Sequence, residues 1–165
     1  MFMAAVIGLA LGGVLGLLAV LVLRGLRRAL RWRPVRYMVI DGSNVMYWGG
    51  GQPNFAPLHA AISWVKSMGY TPGVVFDANA GYLLTGKYLH HAAMGRRLGL
   101  PEQQILVVPK GTPADAFILA AAKDLGARII TNDRYRDWAD EYPIVRQPGY
   151  LITGIFHDDQ ITLHD

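Results

Sequence analysis

MVIDGSNVMYW, residues 38–48, decides the fold. Three apolar residues run directly into Asp41, and a glycine with two small polar residues follows before the chain turns apolar again. A short apolar run without polar alternation reads as a strand buried on both faces, the kind found in parallel sheets. A carboxylate at its carboxyl end therefore stands where open α/β sheets bind their ligands.

Three more runs have the same character, at residues 73–76, 105–108 and 128–131, and residues 37–40 form the first. Helical patterns alternate with them. Leu58, Ala61, Ile62 and Val65 share one helix face, which opens near Pro57 and stops at Gly69. A second helix is expected over residues 86–98. A third is expected over residues 113–125, with Thr112 as N-cap, Pro113 in the first helical position and Gly126 at the end. Strands joined by helices imply right-handed crossovers and a mainly parallel sheet flanked by helices, an α/β domain. Beyond residue 133, RYRDWADEYP reads as a short helix ended by Pro143, and YLITGIFHDDQITL as a terminal hairpin turning at Asp158 and Asp159.

Four aspartates converge on one sheet edge in this reading. Asp41 closes the first strand, Asp115 lies in the first turn of the third helix, Asp133 follows the fourth strand, and Asp137 stands one turn further on. Such a cluster calls for positive charge, and hard divalent ions with oxygen ligands, Mg²⁺ or Mn²⁺, suit it. A metal held there activates water and stabilises the oxyanions of an attack on phosphorus. Each aspartate also has a local explanation. Thr112 to Asp115 fits a capping box, Asp133 a helix cap, Asp137 a solvated helix face, and Asp41 with Gly42 a turn. Asp77, at the end of the second strand, is set at the periphery of the cluster. The five histidines show no metal spacing on a shared face, which disfavours zinc hydrolysis.

The combination of Val39 to Val45, Ala114 to Phe117 and Ile130 to Asp137 resembles the NYN branch of the PIN-like nucleases, in particular the ribonuclease domain of the Zc3h12a (Regnase, MCPIP) group. The tail YLITGIFHDDQITL is similar to the closing segment of those domains, so the resemblance covers residues 37–165. It implies a PIN-like Rossmannoid fold and metal-dependent endonucleolytic cleavage of single-stranded RNA that leaves a 5′ phosphate. It makes Asp41, Asp115, Asp133 and Asp137 catalytic and metal-binding, with Ser43 and Asn44 orienting Asp41 or the phosphate and Asn132 supporting Asp133. One departure stands out: Ala114 precedes Asp115 where the family commonly has two adjacent aspartates.

Lys110, Arg134 and Arg136 flank the acidic positions and suit substrate phosphates, with Arg96 and Arg97 extending the track. Tyr47 and Trp48 either stack bases or cover a loop. The GGG at residues 49–51 lacks the lysine and strand-to-helix context of a phosphate loop.

Before all this, residues 2–23 contain no charge, and as a helix they reach roughly 33 Å, enough to cross a bilayer. The arginines come only afterwards, at 24, 27, 28, 31, 33 and 36, which favours a retained anchor over a cleaved signal peptide. By the positive-inside bias this is a single-pass protein of the cytoplasmic (inner or plasma) membrane with its catalytic domain on the cytoplasmic side. The expected organisation is an anchor at 1–24, a basic linker at 25–36 and the domain at 37–165. Gly8, Gly12 and Gly16 form a bare helix face, a candidate for homodimerisation.

The basic cluster also explains the overall charge of +4. Residues 1–36 hold 6 of the 16 Lys and Arg and none of the 12 Asp and Glu, which leaves residues 37–165 with 10 basic against 12 acidic residues, a net charge of −2. RNA must then be held by local contacts or by metal ions. The absence of cysteine excludes thiol chemistry and suits a reducing compartment. A non-cleaving module that binds RNA or a protein at the membrane is the alternative. A phosphotransferase on a related fold is disfavoured, because Ser43 stands where its second aspartate is expected.

Overall fold

The computed structural model describes residues 34–164. The expected membrane span at residues 2–23 and its glycine face lie outside them. Among the described residues no helix is long and apolar enough to cross a membrane.

From residue 36 onward the chain is one compact unit. Its strands are β1 (Tyr37–Asp41), β2 (Thr71–Phe76), β3 (Ile105–Val107), β4 (Arg128–Ile130), β5 (Leu151–His157) and β6 (Gln160–His164). They form a six-stranded sheet in the order β3-β2-β1-β4-β5-β6. All neighbours are parallel except β5 and β6, which form the expected hairpin. The hairpin is no appendage, since β5 extends the sheet by pairing in parallel with β4 through Ile129 to Leu151 and Ile130 to Ile152.

Alternation along β1 sorts the core into two layers. Met38 and Ile40 face α2 (Ala56–Ser67) and α4 (His91–Leu98), where Leu58, Ala61, Ile62, Val65, Met94 and Leu98 are buried. Val39 faces the other way, toward Ile118, Leu119 and Ala122 of α5 (Ala114–Leu125). Residues two apart share a face, so Asp41 lies on the same side as Val39. Between β1 and α2 the chain makes a single helical turn, α1 (Gly42–Val45), packed against the end of β2. Only glycine fits at 42, because a Cβ there would sit 2.3 Å from the Phe76 ring.

Three expectations need correction. The helix expected over 86–98 begins only at His91, as α4, and a separate short helix, α3 (Ala80–Thr85), precedes it and is ended by Gly86 in the left-handed conformation. Pro113, with extended backbone, occupies the N-cap of α5 in place of Thr112, and no side chain caps that end, so the capping box does not form. Finally, RYRDWADEYP is not an α-helix. Tyr135 takes a left-handed φ of 47°, leaving one 3-10 turn at Arg136–Trp138 and another at Pro143–Arg146.

Candidate active site

Strand order reverses about β1 and β4, since the chain leaves β1 toward β2 and β3 on one side and continues from β4 to β5 on the other. At such a switch point loops diverge and leave a crevice beyond the strand ends. Asp41 ends β1 there, and the register of Ile40 with Ile130 sets Thr131 beside it.

Asp41 is 5% exposed and carries three hydrogen bonds. Its Oδ1 accepts the backbone N–H of Asn44 at 3.1 Å. Its Oδ2 accepts the hydroxyls of Thr131 at 3.0 Å and Tyr135 at 2.9 Å. Burial raises its pKa to about 6 against these bonds, and the charge of Asp115 adds to the rise. Asp115, half-buried at the start of α5, is also raised, first by burial and then by Asp133, with Asp77 contributing and the Trp138 side chain working the other way. Asp115 thus sits among the charges of Asp41, Asp133 and Asp77. Such mutual repulsion marks a site short of positive charge.

The loop after β4 is built by its own side chains. The Asp133 backbone N–H donates to the Thr131 hydroxyl oxygen at 3.0 Å, and the Asp133 Oδ1 accepts the N–H of Tyr135 at 2.8 Å. That turn, with Tyr135 left-handed, sends the phenol inward to Asp41, where burial and the carboxylate hold it firmly protonated. Asp133 keeps Oδ2 free of this turn and is exposed. Asp137 is exposed too and is not among the principal charges acting on Asp41 or Asp115. It adjoins Trp138, which reaches Asp115.

Of the three supporting residues, Asn44 bonds Asp41 as expected. Ser43 does not touch Asp41; its Oγ accepts the N–H of Asp77 at 2.8 Å and ties the ends of β1 and β2 together. Asn44 serves Asp41 through its backbone, while its side-chain oxygen accepts the Trp48 indole N–H at 2.8 Å and the Asn132 N–H at 2.9 Å. Asn132 supports Asp133 only through the loop: its amide exchanges two hydrogen bonds with the backbone of Gly154 on β5. Trp48 packs against the core as a structural cover, and Tyr47 is partly exposed. Lys110 borders a cleft beside Asp77, and Arg134 and Arg136 line another with Arg146. Thr131 and Tyr135 went unnoticed in the sequence. The signal for Thr131 was its place one residue past β4, level with Asp41.

Among the described residues no three carboxylate or imidazole groups are grouped closely enough to enclose a metal ion by themselves. The donor set nevertheless fits Mg²⁺ or Mn²⁺ in kind. Mg²⁺ usually keeps several waters and is held by one or two carboxylates with substrate phosphates, not by an all-protein cage. Asp41 with Asp115 suits that requirement, and the charge of Asp133 also acts on Asp115.

A mostly parallel sheet flanked by helices, with a buried aspartate at its switch point, matches a PIN-like NYN nuclease domain. Within it the chain belongs to the Zc3h12a-like ribonuclease NYN domain family, whose pattern matches residues 34–165. This is a family of RNA-cleaving nucleases. Among solved structures the fold is similar to Arabidopsis thaliana nuclear protein-only RNase P 2 (PRORP2), with a TM-score of 0.61 and 16% identity over 87% of this chain and 33% of that one. A further crystal structure of nuclear proteinaceous RNase P 2 from A. thaliana gives 0.57 and 17%, over 83% and 31%. The likeness is one of fold, and this chain spans about a third of those proteins. No curated protein matches the sequence.

Proposed function

We propose that this chain is a divalent-metal-dependent endoribonuclease that hydrolyses phosphodiester bonds of single-stranded RNA, held at the cytoplasmic membrane face by residues 2–23. The observation that carries the reading is the buried Asp41 carboxylate, raised to about 6 and coupled to Asp115. Burying a carboxylate is costly, and a site that keeps one beside like charges is built for chemistry or for a cation.

Asp41, Asp115 and Asp133 would hold Mg²⁺ or Mn²⁺. When bound, the ion lowers the pKa of a water and offsets charge on the phosphate. Asp41 is kept in one orientation by Thr131, Tyr135 and the Asn44 amide. The proton that the attacking water gives up would pass to solvent water, since the carboxylates at 41, 115 and 133 would be engaged by the ion. The products are a 5′ phosphate and a 3′ hydroxyl. Asp137 borders this set beside Trp138, and Lys110, Arg134 and Arg136 are the phosphate contacts.

Ala114 in place of a second aspartate favours a second reading, a module that binds RNA without cutting it. One experiment separates the two. The full chain in detergent is incubated with end-labelled single-stranded RNA and Mn²⁺ or Mg²⁺, beside Asp41→Asn and an EDTA control. Cutting that needs metal and vanishes in the variant supports the nuclease. RNA binding without cutting in any metal supports the module.

A further inference from the structure

Two of the most exposed aromatic side chains stand together. Tyr82 in α3 is 57% exposed and Tyr88, in the loop between α3 and α4, is 53% exposed. Their ring centroids are 6.3 Å apart with planes tilted by 42°. With Ala78, Asn79 and Lys110 they line a cleft of about 540 Å³, within the usual range for ligand sites. A second cleft of about 250 Å³ shares Ala78, Asn79 and Lys110 and continues to Asp77 and Thr112. The aromatic cleft is therefore continuous with the acidic end of the sheet, since the charge of Asp77 acts on Asp115.

The geometry points to a nucleobase-stacking subsite here, in which Tyr82 and Tyr88 hold one unpaired base of the RNA and Lys110 meets the phosphate between that base and the acidic site. This rests on the ribonuclease reading and adds where the strand is gripped.

The tyrosines are exposed yet firmly held. The backbone of residues 87–89 folds onto Gly81, where a Cβ would lie 2.5 Å from the Leu89 nitrogen and 2.9 Å from the Lys87 oxygen. The Thr85 hydroxyl donates to the Gly81 carbonyl at 2.8 Å and lies 3.4 Å from that of Lys87. The loop that carries Tyr88 is thus tied to the helix that carries Tyr82, which lowers the ordering cost of binding. Asn79 makes no cap hydrogen bond for α3, which leaves its amide for a base edge.

Electrostatics favours a stacking contact. A domain with a net charge of −2 repels a polyanion overall, and stacking supplies affinity that does not depend on charge. A base can lay its face against these rings only when it is not stacked and paired inside a duplex, which selects single strands.

The test uses the full chain with Asp41→Asn, so that substrate is not consumed, in detergent with Mg²⁺. The probe is an oligoribonucleotide of about ten nucleotides containing a fluorescent adenine analogue whose emission falls on stacking. Tyr82→Ala and Tyr88→Ala are each expected to weaken binding roughly tenfold and to remove the quench, while Tyr82→Phe and Tyr88→Phe retain both. Exposure of both rings makes loss of folding by these changes unexpected, and thermal melting checks it. Alanine variants that bind and quench like the parent overturn the subsite, as do phenylalanine variants that fail like alanine, since the contact would then be the hydroxyl. Cleavage by the unsubstituted chain is measured in parallel. If it cuts RNA and the alanine variants are indistinguishable, the subsite alone falls; if it neither binds nor cuts RNA, the ribonuclease reading falls with it.

Discussion

Tyr135 donates its phenolic proton to Asp41 Oδ2 at 2.9 Å, joining the end of β1 to the loop after β4 across 94 residues. The bond favours the ionised carboxylate, against burial, which raises the pKa to about 6. If cleavage needs Asp41 as a carboxylate, the rate falls as pH drops through about 6 at low divalent-ion concentration. Tyr135→Phe removes the donor while keeping the ring, and is expected to move that acid limb about one unit higher. A pH-rate profile of the variant checks this, and an unmoved limb would show that another group sets it.

Asp41 also makes a stability claim. Its pKa is 3.8 as an ordinary carboxylate and about 6 in the fold, so between these values the folded state binds the extra proton. Stability is then greatest below the unfolded value and declines as pH rises through about 6. The rise corresponds to at most about 3 kcal/mol at neutral pH, part of which an amide loses again through poorer hydrogen bonds. Asp41→Asn is therefore expected to abolish cleavage and yet to be more stable than the parent at neutral pH by roughly 1–2 kcal/mol, with the gap closing below about pH 4. Denaturant melts at the two pH values decide it; a variant that is weaker at neutral pH would mean the carboxylate is stabilising where it sits.

What could be read in advance follows from which features are local. A strand buried on both faces announces itself as an apolar run, so β1 and the carboxylate at its end were legible, as were α5 and its stop at Gly126. The partners of Asp41 were not. Tyr135 reaches it only because a non-glycine residue adopts φ 47°, a choice imposed by the Asp133 turn and the packing around it. Ser43 serves Asp77 and not Asp41 because α1 packs on the end of β2, a contact between segments 34 residues apart. The parallel addition of β5 to β4 is likewise a nonlocal pairing that two alternating runs around a turn do not reveal. Tyr82 and Tyr88 look like ordinary apolar residues in sequence, and only their exposure distinguishes them.

Asn132 locks the acidic loop to the sheet through its paired hydrogen bonds with Gly154, at 2.8 and 2.9 Å, and its backbone N–H reaches Asn44. Asn132→Ala leaves the Gly154 N–H and C=O without those partners. It is expected to cost about 2 kcal/mol of stability and to reduce the rate by an order of magnitude or more through misplacement of Asp133. Asn132→Asp restores the acceptor alone and should fall between. A thermal melt together with single-turnover cleavage tests both parts, and a wild-type rate in Asn132→Ala would show that the loop holds its place without β5.

Arg134 and Arg136 line a cleft of about 300 Å³ with Arg146, whose guanidinium is paired with Asp140 at 2.8 Å. If the first two meet RNA phosphates, Arg134→Ala and Arg136→Ala each reduce the slope of log affinity against log salt by roughly 0.7, the single-strand value per phosphate. Arg146→Ala is expected to change it less, because its charge is already partly neutralised. Affinities measured across a salt series separate these cases. Equal slopes in all variants would remove the cleft from the RNA path.

The anchor is testable without any reference to catalysis. Residues 2–23 as a span predict that the full chain stays with vesicles through alkaline carbonate and high salt, whereas deletion of residues 1–33 releases the domain. Attachment by the arginines alone would instead be reversed by salt, since contacts with anionic lipid are screened within about 10 Å at ordinary ionic strength. Close approach of two spans through Gly8, Gly12 and Gly16 adds a second expectation. Gly12→Ile should leave the chain in the vesicles and lower crosslinking between copies, because a β-branched side chain at the middle of the stripe holds two backbones apart. Unchanged crosslinking would assign any self-association to another part of the chain, and release by salt would reduce the segment to a peripheral attachment.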